Sequence, residues 1–553
     1  MTTNARKFRI LLSLLMPFAV VTSTKTTFHE TTFPNFVLIL TDDLDLTLGG
    51  TASLPKTKRL LTNEGLNLSN WFVHTPVCCP SRAELLTGRM FHNLKTPNAS
   101  AGCMYIDVSS DLNNTFYSNY YFAQHFKKIG YTVGMFGKHL NLYNPENPPR
   151  GIDRWMVNGG GNYHNPQFVW ASADVQPSAV HFNNCTDKNG NKEPCYSTSI
   201  IGNASLDWIQ DHIESGVSPE PFFAFISVKA PHIQDGPGYP IATPAPWYVN
   251  ATVGTNAPRT LNYNASCPDH HWLVRQQGPI TFLEGQKIDE LYASRQRALL
   301  SVDDLVEEVV STLDRLDILN DTYIVFTSDN GFRLGQFRMP QGKWHVYEND
   351  IRVPFLIRGP NLRRGSVRED VLGTHVDLMP TLLGLAKSNA TIPSTMDGED
   401  LSQMLQLHDD KSRKKSSVLI EYIGLGDVIR YGHLEDTYNN TFRALRVIDE
   451  TQPAGRRNVK YIEFTNCMED WNFTNEPLEY ELFDLDSDPF ELVNIFSSNR
   501  LSLDFIKKLQ ATVRRLYNCS GQTCRDFHSL KATTTSLKNN AHTNQLREQV
   551  KKS

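Results

Sequence analysis

Four short apolar runs, each followed at once by polar or charged residues, constrain the fold of this chain more than any other feature. The runs are rich in β-branched and aromatic residues and lack the strict alternation of strands with one face in water, so they predict strands buried on both faces of a sheet. A helical pattern with a broad apolar stripe covers residues 293–319, between the third run and the fourth. The runs and the residues that follow them are 36–40 before Thr41-Asp42-Asp43, 131–136 before Gly137-Lys138-His139, 222–228 before Lys229-Ala230-Pro231-His232, and 323–326 before Thr327-Ser328-Asp329-Asn330. This pattern predicts an α/β fold in which helices flank a central sheet.

The polar residues after the four runs predict a shared functional site. In open α/β sheets, ligands bind at the carboxyl ends of the strands. Since each predicted strand delivers polar side chains just beyond that end, we expect these side chains to meet although they are far apart in the sequence.

The sequence changes character after about residue 395. A charged stretch over residues 409–417 is typical of a linker or an exposed loop, and the strand-like pieces beyond it predict a smaller antiparallel sheet. These pieces cover 417–422, 441–448, 458–464 and 478–483, and a helical pattern over 501–516 follows them. We therefore predict one domain over 33–395, a C-terminal antiparallel-sheet domain over 415–526 and a polar tail over 527–553.

The N-terminal segment predicts entry into the secretory pathway. Arg6, Lys7 and Arg9 precede an apolar run over residues 10–21 and small residues that suit cleavage, so residues 1–24 are interpreted as a signal peptide. No later run reaches about 18 uninterrupted apolar residues, so no membrane span is predicted. The 54 basic residues are balanced by 59 acidic ones, which argues against nucleic acid as a partner.

Cysteines and glycosylation sequons agree with that pathway. Nine cysteines include two close pairs, Cys185 with Cys195 and Cys519 with Cys524, that can close short disulfide loops, and the odd count leaves one cysteine with another fate. The twelve sequons begin at Asn67, Asn98, Asn113, Asn184, Asn203, Asn250, Asn264, Asn320, Asn389, Asn439, Asn472 and Asn518. A glycoprotein is therefore expected.

Asp42, Asp43, Asp329 and Asn330 offer hard oxygen ligands at the ends of two predicted strands. An oxygen-only set favours Ca²⁺ or Mg²⁺ over zinc. An Asp pair after a strand is also common as the N-cap of a helix, and the residues alone leave both interpretations open.

Residues 78–89, with the sequence Cys-Cys-Pro-Ser-Arg-Ala-Glu-Leu-Leu-Thr-Gly-Arg, predict a short helix. Pro80 suits its first turn and Gly88 its end, so Cys78 would lie at the helix N-terminus, where free N–H groups and the helix dipole favour anions. The residues alone leave two interpretations of Cys78, a reactive cysteine with a low pKa or one half of a disulfide.

Cys-x-Pro-Ser-Arg at 78–82, followed by Leu-Thr-Gly-Arg at 86–89, resembles the signature of the type I sulfatases. The resemblance implies an alkaline-phosphatase-like sandwich with a large central mixed sheet flanked by helices, plus a smaller C-terminal α+β domain with an antiparallel sheet. Residues 33–395 would form the catalytic domain. It further implies that a formylglycine-generating enzyme oxidises Cys78 to 3-oxoalanine (formylglycine) in the endoplasmic reticulum. Eight cysteines would then remain, enough for four disulfides.

The resemblance also assigns roles to the predicted site residues. One calcium ion would be bound by Asp42, Asp43, modified Cys78, Asp329 and Asn330. The implied catalytic residues are Cys78, Arg82, Lys138, His232 and Lys343. The hydrated aldehyde would attack sulfur, the lysines would hold the charge on the sulfate oxygens, the histidine would protonate the leaving group, and the arginine would orient the diol. Without the resemblance, Arg82 could equally be interpreted as a solvated arginine on a helix surface. His232 could be interpreted as a buried histidine held by hydrogen bonds.

Two positions depart from the sulfatase pattern. Many sulfatases have Lys-x-His where His139 follows Lys138 directly, so we expect His139 to be out of reach of the site and exposed. Arg333 stands where relatives that act on glucosamine tend to have histidine, and it is expected either to contact the substrate or to be solvated.

Segments outside the predicted site are similar to the N-acetylglucosamine-6-sulfatase subgroup. They cover residues 271–276, 299–306, 335–337 and 518–524. The similarity implies hydrolysis of 6-sulfate groups of N-acetyl-D-glucosamine in heparan sulfate and keratan sulfate, which are sulfated glycosaminoglycans, in the lysosome or, alternatively, outside the cell. Alternative activities are a general arylsulfatase and an extracellular heparan sulfate 6-O-endosulfatase, the latter disfavoured because the chain has no long basic insertion. An inactive glycan-binding relative would have lost the cysteine or several metal ligands, and a phosphatase would carry Ser or Thr at position 78.

Overall fold

A mixed sheet of ten strands lies at the centre of the part of the chain that the structure describes. The structure is a computed structural model and describes residues 33–94, 121–141, 145–172, 174–186, 189–215, 220–234, 240–386, 392–406, 415–498 and 501–526. Its strands are, in chain order, β1 (Asn35–Thr41), β2 (Leu66–Phe72), β3 (Thr132–Lys138), β4 (Arg154–Asn158), β5 (Gln167–Ser172), β6 (Val175–His181), β7 (Cys185–Thr186), β8 (Lys192–Glu193), β9 (Phe222–Ser227), β10 (Thr322–Ser328), β11 (Phe355–Arg358), β12 (Ser366–Thr374), β13 (Ser417–Tyr422), β14 (Val428–Arg430), β15 (His433–Asp436), β16 (Thr441–Ile448), β17 (Asn458–Thr465) and β18 (Glu479–Asp484).

The four predicted strands are confirmed, and they lie side by side. The order across the central sheet is β12-β2-β11-β10-β1-β9-β3-β4-β5-β6. Five consecutive strands of this order, from β10 to β4, are parallel, whereas β11 and β5 run antiparallel to their neighbours. Because parallel strands share a carboxyl edge, the polar residues that follow the four predicted strands meet at that edge.

Helices cover both faces of the central sheet. In β1, Phe36 and Leu38 point into an apolar core that also contains residues of the helices Cys78–Thr87, Phe122–Lys128 and His375–Leu385. Val37 and Ile39 point into a second core, which also contains residues of the helices Ser197–Glu214 and Phe282–Arg315. A strand whose successive side chains are all apolar needs cover on both sides, which explains this layering. The helices of seven or more residues in the described ranges are α1 (Cys78–Thr87), α2 (Phe122–Lys128), α3 (Ser197–Glu214), α4 (Phe282–Arg315), α5 (His375–Leu385) and α6 (Leu503–Tyr517). Shorter α-helical segments are Pro55–Thr57, Trp272–Arg275, Glu348–Ile351, Ser402–Gln406, Cys467–Asp470 and Gln522–Arg525.

The helix predicted over residues 293–319 starts earlier than expected. α4 begins at Phe282 because Thr281 and Glu284 form a capping box, in which each side chain accepts a hydrogen bond from the other residue's backbone N–H. The predicted apolar stripe is confirmed, since Leu299, Val302 and the apolar residues that follow at helical spacing pack against the sheet.

The predicted smaller antiparallel sheet is also present, with the order β13-β16-β17-β18. α6 covers one face of it through Leu509 and Val513. On the other face, Ile420 and Phe442 belong to the same apolar core as α1, so the two sheets share buried contacts. The predicted domain boundary between residues 395 and 415 stays a prediction, and residues 407–414, most of the predicted linker, lie outside the described residues.

The two close cysteine pairs form disulfides as predicted, Cys185 with Cys195 and Cys519 with Cys524. Cys267 is a buried free thiol. The eight cysteines other than Cys78 therefore form fewer than the four disulfides for which their number would suffice.

Several sequence predictions fall on residues that are not described. The signal peptide over 1–24, the tail over 527–553 and the sequons at Asn98, Asn113 and Asn389 lie outside the described residues. Within the described ranges, the helices lack the combination of length and apolar character that crossing a membrane requires.

Candidate active site

The N-terminus of α1 brings Cys78 to the carboxyl edge of the central sheet. The predicted helix is confirmed, and Gly88 closes it with a left-handed φ of 66°. Cys78 is 4% exposed, and its Sγ lies 3.5 Å from Asp42 Oδ1. It forms no disulfide, and burial raises the pKa of its thiol to about 12, although Lys138 and Lys343 oppose the shift. Both interpretations drawn from the residues alone, a low-pKa cysteine and a half-disulfide, are therefore wrong.

The predicted oxygen ligands lie together at the ends of neighbouring strands. Asp42 and Asp43 follow β1, and Asp329 and Asn330 follow β10. The Asp43 N–H donates to Asp329 Oδ1 at 3.0 Å, and Asn330 Nδ2 donates to Asp43 Oδ1 at 2.7 Å. Neither aspartate caps a helix, because the next helical residue along the chain is Pro55. The N-cap interpretation is therefore wrong.

Two buried lysines pair with the aspartates that follow β1. Lys138, the last residue of β3, donates to Asp42 Oδ2 at 2.5 Å. Lys343 donates to Asp43 Oδ1, and its Nζ lies 2.7 Å from Cys78 Sγ. Burial alone would raise the pKa of both aspartates, but the nearby cations hold the pKa of Asp42 well below its usual range and lower that of Asp43. The carboxylates in turn outweigh burial and raise the pKa of both lysines, so all four groups are charged at neutral pH.

Arg82 joins α1 to three strand ends. Its Nε donates to Asp329 Oδ2 at 2.7 Å, and its Nη1 donates to Ser227 Oγ at 2.8 Å and to the Lys138 carbonyl at 3.0 Å. These partners belong to the ends of β10, β9 and β3. Arg82 is only 2% exposed, so the interpretation of a solvated helix-surface arginine is wrong.

His232 is the most exposed of the predicted site residues, with 18% of its side chain accessible. Its Nδ1 lies 2.6 Å from the Ile233 carbonyl, and its Nε2 lies 3.6 Å from Asp43 Oδ2. Since a carbonyl only accepts hydrogen bonds, Nδ1 carries a proton and Nε2 faces the site. Burial lowers the pKa of His232 to about 4, against the opposing effect of Asp42 and Asp43.

The donor set fits a hard divalent cation. Ligand atoms of Asp42, Asp43, Cys78 and His232 lie within 4.8 Å of one another. Asn330 Oδ1 is buried and has no hydrogen-bond partner among the residues that the structure describes. An oxygen in that state costs free energy unless it meets a cation or a donor, and carboxylate and amide oxygens are the ligands that calcium prefers.

Arg295, on α4, contributes to the site although no motif predicts it. It is 2% exposed, and its Nη2 donates to the Asp43 carbonyl at 2.6 Å while its Nη1 donates to the Pro231 carbonyl at 3.3 Å. These bonds hold the turn after β1 and the segment that carries His232. A signal for it exists in the sequence: Arg295 lies one helical turn before Leu299 on the apolar stripe, where an arginine requires buried polar partners.

His139 is buried, so the expectation of an exposed histidine is wrong. Its Nε2 lies 3.2 Å from Tyr121 Oη, and its ring packs edge-on against Trp155. Burial lowers the pKa of His139 to about 3, which keeps the ring neutral.

Arg333 neither faces solvent nor is placed to contact a substrate, so both expectations for it are wrong. It has no exposed surface. Its Nε donates to both carboxylate oxygens of Asp350 at 3.1 Å, and its Nη2 donates to the Lys343 carbonyl at 2.8 Å. Arg333 is therefore a positioning residue for the segment that carries Lys343.

Comparison with known proteins identifies the family. The sequence profile of the family named Sulfatase matches residues 34–388. The chain belongs to the sulfatase family. It is 33% identical over 518 residues to the N-acetylglucosamine-6-sulfatase of Capra hircus, covering 89% of this chain and 85% of that relative. It is 33% identical over 394 residues to the extracellular sulfatase SULF-1 homolog of Drosophila melanogaster, covering 71% of this chain but 33% of that relative.

A solved structure supports the fold. BT4656, in complex with its substrate D-glucosamine-2-N,6-O-disulfate, superposes with a TM-score of 0.67 at 19% identity, covering 90% of this chain and 100% of that one. This sulfatase therefore has the predicted alkaline-phosphatase-like fold and is a sulfuric ester hydrolase. Sulfatases generally use a formylglycine and calcium, and the oxygen-rich cluster around Cys78 could hold such an ion.

Proposed function

We propose that this sulfatase hydrolyses the 6-sulfate esters of N-acetyl-D-glucosamine in heparan sulfate and keratan sulfate, with formylglycine at position 78 and one calcium ion. The observation that carries the proposal is the place of Cys78 at a helix N-terminus, with its Sγ 2.7 Å from Lys343 Nζ and 3.5 Å from Asp42 Oδ1. The Capra hircus relative supports the choice of substrate, because the similarity extends over most of both chains. The extracellular endosulfatase alternative has less support, since the Drosophila relative is matched over 33% of its length.

The proposed modification changes the chemistry available at position 78. It supplies a hydrated aldehyde, whose hydroxyl is a nucleophile that a thiol with a raised pKa does not provide. A formylglycine-generating enzyme is the proposed maturation partner. Arg82 acts as a positioning residue, since its bonds to the three strand ends fix α1, and with it residue 78, against the sheet.

Asp42, Asp43, Asp329, Asn330 and modified residue 78 are the proposed calcium ligands. When bound, the ion supplies positive charge that acidifies the nucleophilic hydroxyl and withdraws charge from the sulfate oxygens. The buried Asn330 Oδ1 without a hydrogen-bond partner supports this assignment.

Lys138 and Lys343 bring two positive charges to a buried site. Charges fixed in advance stabilise the charge that develops on the sulfate oxygens in the transition state, because the protein does not need to reorganise during the reaction. Both lysines are held by aspartates and are at least nine-tenths buried, so their side chains are fixed.

His232 is the proposed proton donor to the leaving group. A sugar alkoxide is strongly basic and leaves only with a proton. Because the Ile233 carbonyl occupies Nδ1, Nε2 is the ring nitrogen able to meet the bridging oxygen. Its pKa of about 4 means that an acidic medium increases the fraction that can donate.

An acidic compartment favours the protonated form of His232. We therefore propose that the protein acts in the lysosome, with secretion as the alternative. The N-terminal apolar segment and the sequons support the secretory route. Fractionation of expressing cells checks this: activity that follows lysosomal markers supports the lysosome, and activity confined to the medium supports secretion.

The test of the activity uses the purified full chain and defined sulfated saccharides. We expect sulfate release from a terminal N-acetylglucosamine 6-sulfate and its loss in Cys78→Ala. Cys267→Ala, which removes another buried thiol outside the cluster, is the matched control and should retain activity. Mass spectrometry of the peptide that contains residue 78 should show loss of sulfur. Unmodified cysteine in fully active protein would overturn the proposal, and sulfate release from internal units alone would favour the endosulfatase.

A further inference from the structure

A cavity of about 500 Å³ lies at the ends of β4 and β5. Its lining includes the buried apolar residues Val157, Phe168 and Val169 and, at its mouth, the exposed polar residues Asn162 and Gln167. A lining that combines apolar residues with a few polar groups is the usual composition of a site for a small organic ligand.

The loop over residues 159–163 separates this cavity from the proposed catalytic residues. The glycines on either side of Gly160 line the cavity, while Gly160 itself faces the other way: a Cβ at this position would lie 3.6 Å from Lys138 Cε. At the end of the loop, Tyr163 Oη donates to the His232 carbonyl at 2.7 Å. The cavity and the catalytic centre are therefore neighbours, one loop apart.

The mouth of the cavity presents hydrogen-bonding groups that the protein does not use. Asn162 Oδ1 accepts from Gln234 Nε2 at 3.2 Å, and Asn165 Oδ1 accepts from the Cys195 N–H at 3.1 Å. The NH₂ groups of both asparagines and the whole amide of Gln167 have no partner among the described residues. The lining residues include no Asp, Glu, Lys or Arg, and their one titratable side chain is that of His181.

We propose that this cavity binds the uncharged sugar that adjoins the sulfated N-acetylglucosamine, an inference that rests on the proposed function. Amide groups and apolar lining residues suit the hydroxyls and the C–H groups of a neutral pyranose. A uronate would place its carboxylate in a cavity whose described lining contains no Lys or Arg and a single histidine, His181, so it would meet no permanent cation there, which is unfavourable. The site therefore favours an unsulfated galactose neighbour, as in keratan sulfate, over the uronate neighbour of heparan sulfate.

The test compares three substrates for the matured full chain. They are N-acetylglucosamine 6-sulfate alone, the same unit linked to galactose, and the same unit linked to glucuronate. The readout is the ratio of kcat/KM for each disaccharide to that for the monosaccharide. For the wild type, we expect the galactose ratio to exceed one and to exceed the glucuronate ratio.

Variants at Gln167 test the cavity itself. Gln167→Ala should lower the galactose ratio by about threefold to tenfold, the effect of losing one hydrogen bond between uncharged groups. Gln167→Arg should raise the glucuronate ratio at the expense of the galactose ratio. The matched control is Gln176→Ala, which changes an exposed glutamine of β6 that does not line the cavity and should leave both ratios unchanged. A wild type that prefers the glucuronate disaccharide, or a Gln167→Ala galactose ratio equal to that of the wild type, would overturn the inference.

A separate measurement distinguishes failure of this inference from failure of the proposed function. If the wild type releases sulfate from none of the three substrates, the proposed function falls. Saturation-transfer NMR with the unsulfated N-acetylglucosamine–galactose disaccharide then decides on the cavity. Contact to the galactose that disappears in Gln167→Ala supports the inference, and its absence in the wild type overturns it.

Discussion

Replacing Arg333 by methionine tests whether the buried ion pair with Asp350 stabilises the segment that carries Lys343. In the structure, Arg333 and Asp350 are both fully buried, and the carboxylate receives two hydrogen bonds from Nε of Arg333 and one from the His345 N–H. Methionine fills much of the same volume but leaves the carboxylate without a cation. Removing one partner of a buried ion pair costs about 3 to 5 kcal/mol.

The destabilisation by Arg333→Met cannot exceed the free energy of protonating Asp350, because this carboxyl can take up a proton instead of remaining a buried charge without a cation. Neutralising a carboxyl with an ordinary pKa of about 3.9 costs about 1.4 kcal/mol per pH unit, which gives about 5 kcal/mol at pH ~7.5 and about 1.5 kcal/mol at pH ~5. In the wild type, burial raises the pKa of Asp350 to about 6. A larger fraction of this carboxyl is therefore neutral at the lower pH, and the wild-type ion pair contributes less to the free energy of unfolding at that pH. The destabilisation by Arg333→Met should therefore be large at neutral pH and small at acidic pH.

Differential scanning fluorimetry of the two proteins at both pH values measures this difference. For a chain of this size, 1 kcal/mol corresponds to roughly 1 °C in Tm, so we expect a decrease of about 3 to 5 °C at neutral pH and a markedly smaller one at acidic pH. The double variant Arg333→Met/Asp350→Asn removes the charge and should recover much of the loss. Equal decreases at the two pH values that the double variant does not relieve would refute the reasoning.

Three further predictions concern the proposed proton donor, the proposed ion and a buried carboxyl. His232→Ala should slow hydrolysis of sugar sulfates by about 10²- to 10⁴-fold, but hydrolysis of aryl sulfates, whose leaving groups need no proton, far less; equal losses would indicate a structural role. Excess calcium should raise the Tm of the wild type because it binds the folded chain, and Asn330→Leu should reduce that shift; an undiminished shift would mean that the ion binds elsewhere. Burial raises the pKa of Glu435 to about 7, so the folded chain keeps a proton that the unfolded chain loses near pH ~4.3. The Tm should therefore fall as the pH rises between these two values, and Glu435→Gln should make the decline shallower; an identical profile would contradict this account.

The strands at the centre of the fold could be predicted from the sequence, but not their order. The run over residues 36–40 is apolar at every position, and a strand with this pattern has to be covered on both faces. That β1 lies between β9 and β10 depends on contacts between residues far apart in the chain, and a single strand's pattern does not encode its neighbours.

The candidate site, like the sheet, could be predicted from the sequence only in part. Asp42, Asp329 and Lys138 could be predicted to meet because each lies at the carboxyl end of a buried strand, and ligands bind at that edge in α/β sheets as a general rule. Arg333 was beyond such reasoning, because its position is fixed by Asp350, a partner that only folding brings close. His139 also follows a strand end, where exposure is usual, but it packs against an aromatic ring.

The inaccessibility of Cys78 has a consequence for the proposed conversion of its side chain. A maturation enzyme has to enclose the side chain that it converts, and in the folded chain only 4% of this residue is open to solvent. Conversion would then be confined to the interval before the nascent polypeptide collapses around α1. The yield of competent protein would be set by two competing rates, so conditions that slow folding during synthesis should enrich the converted form.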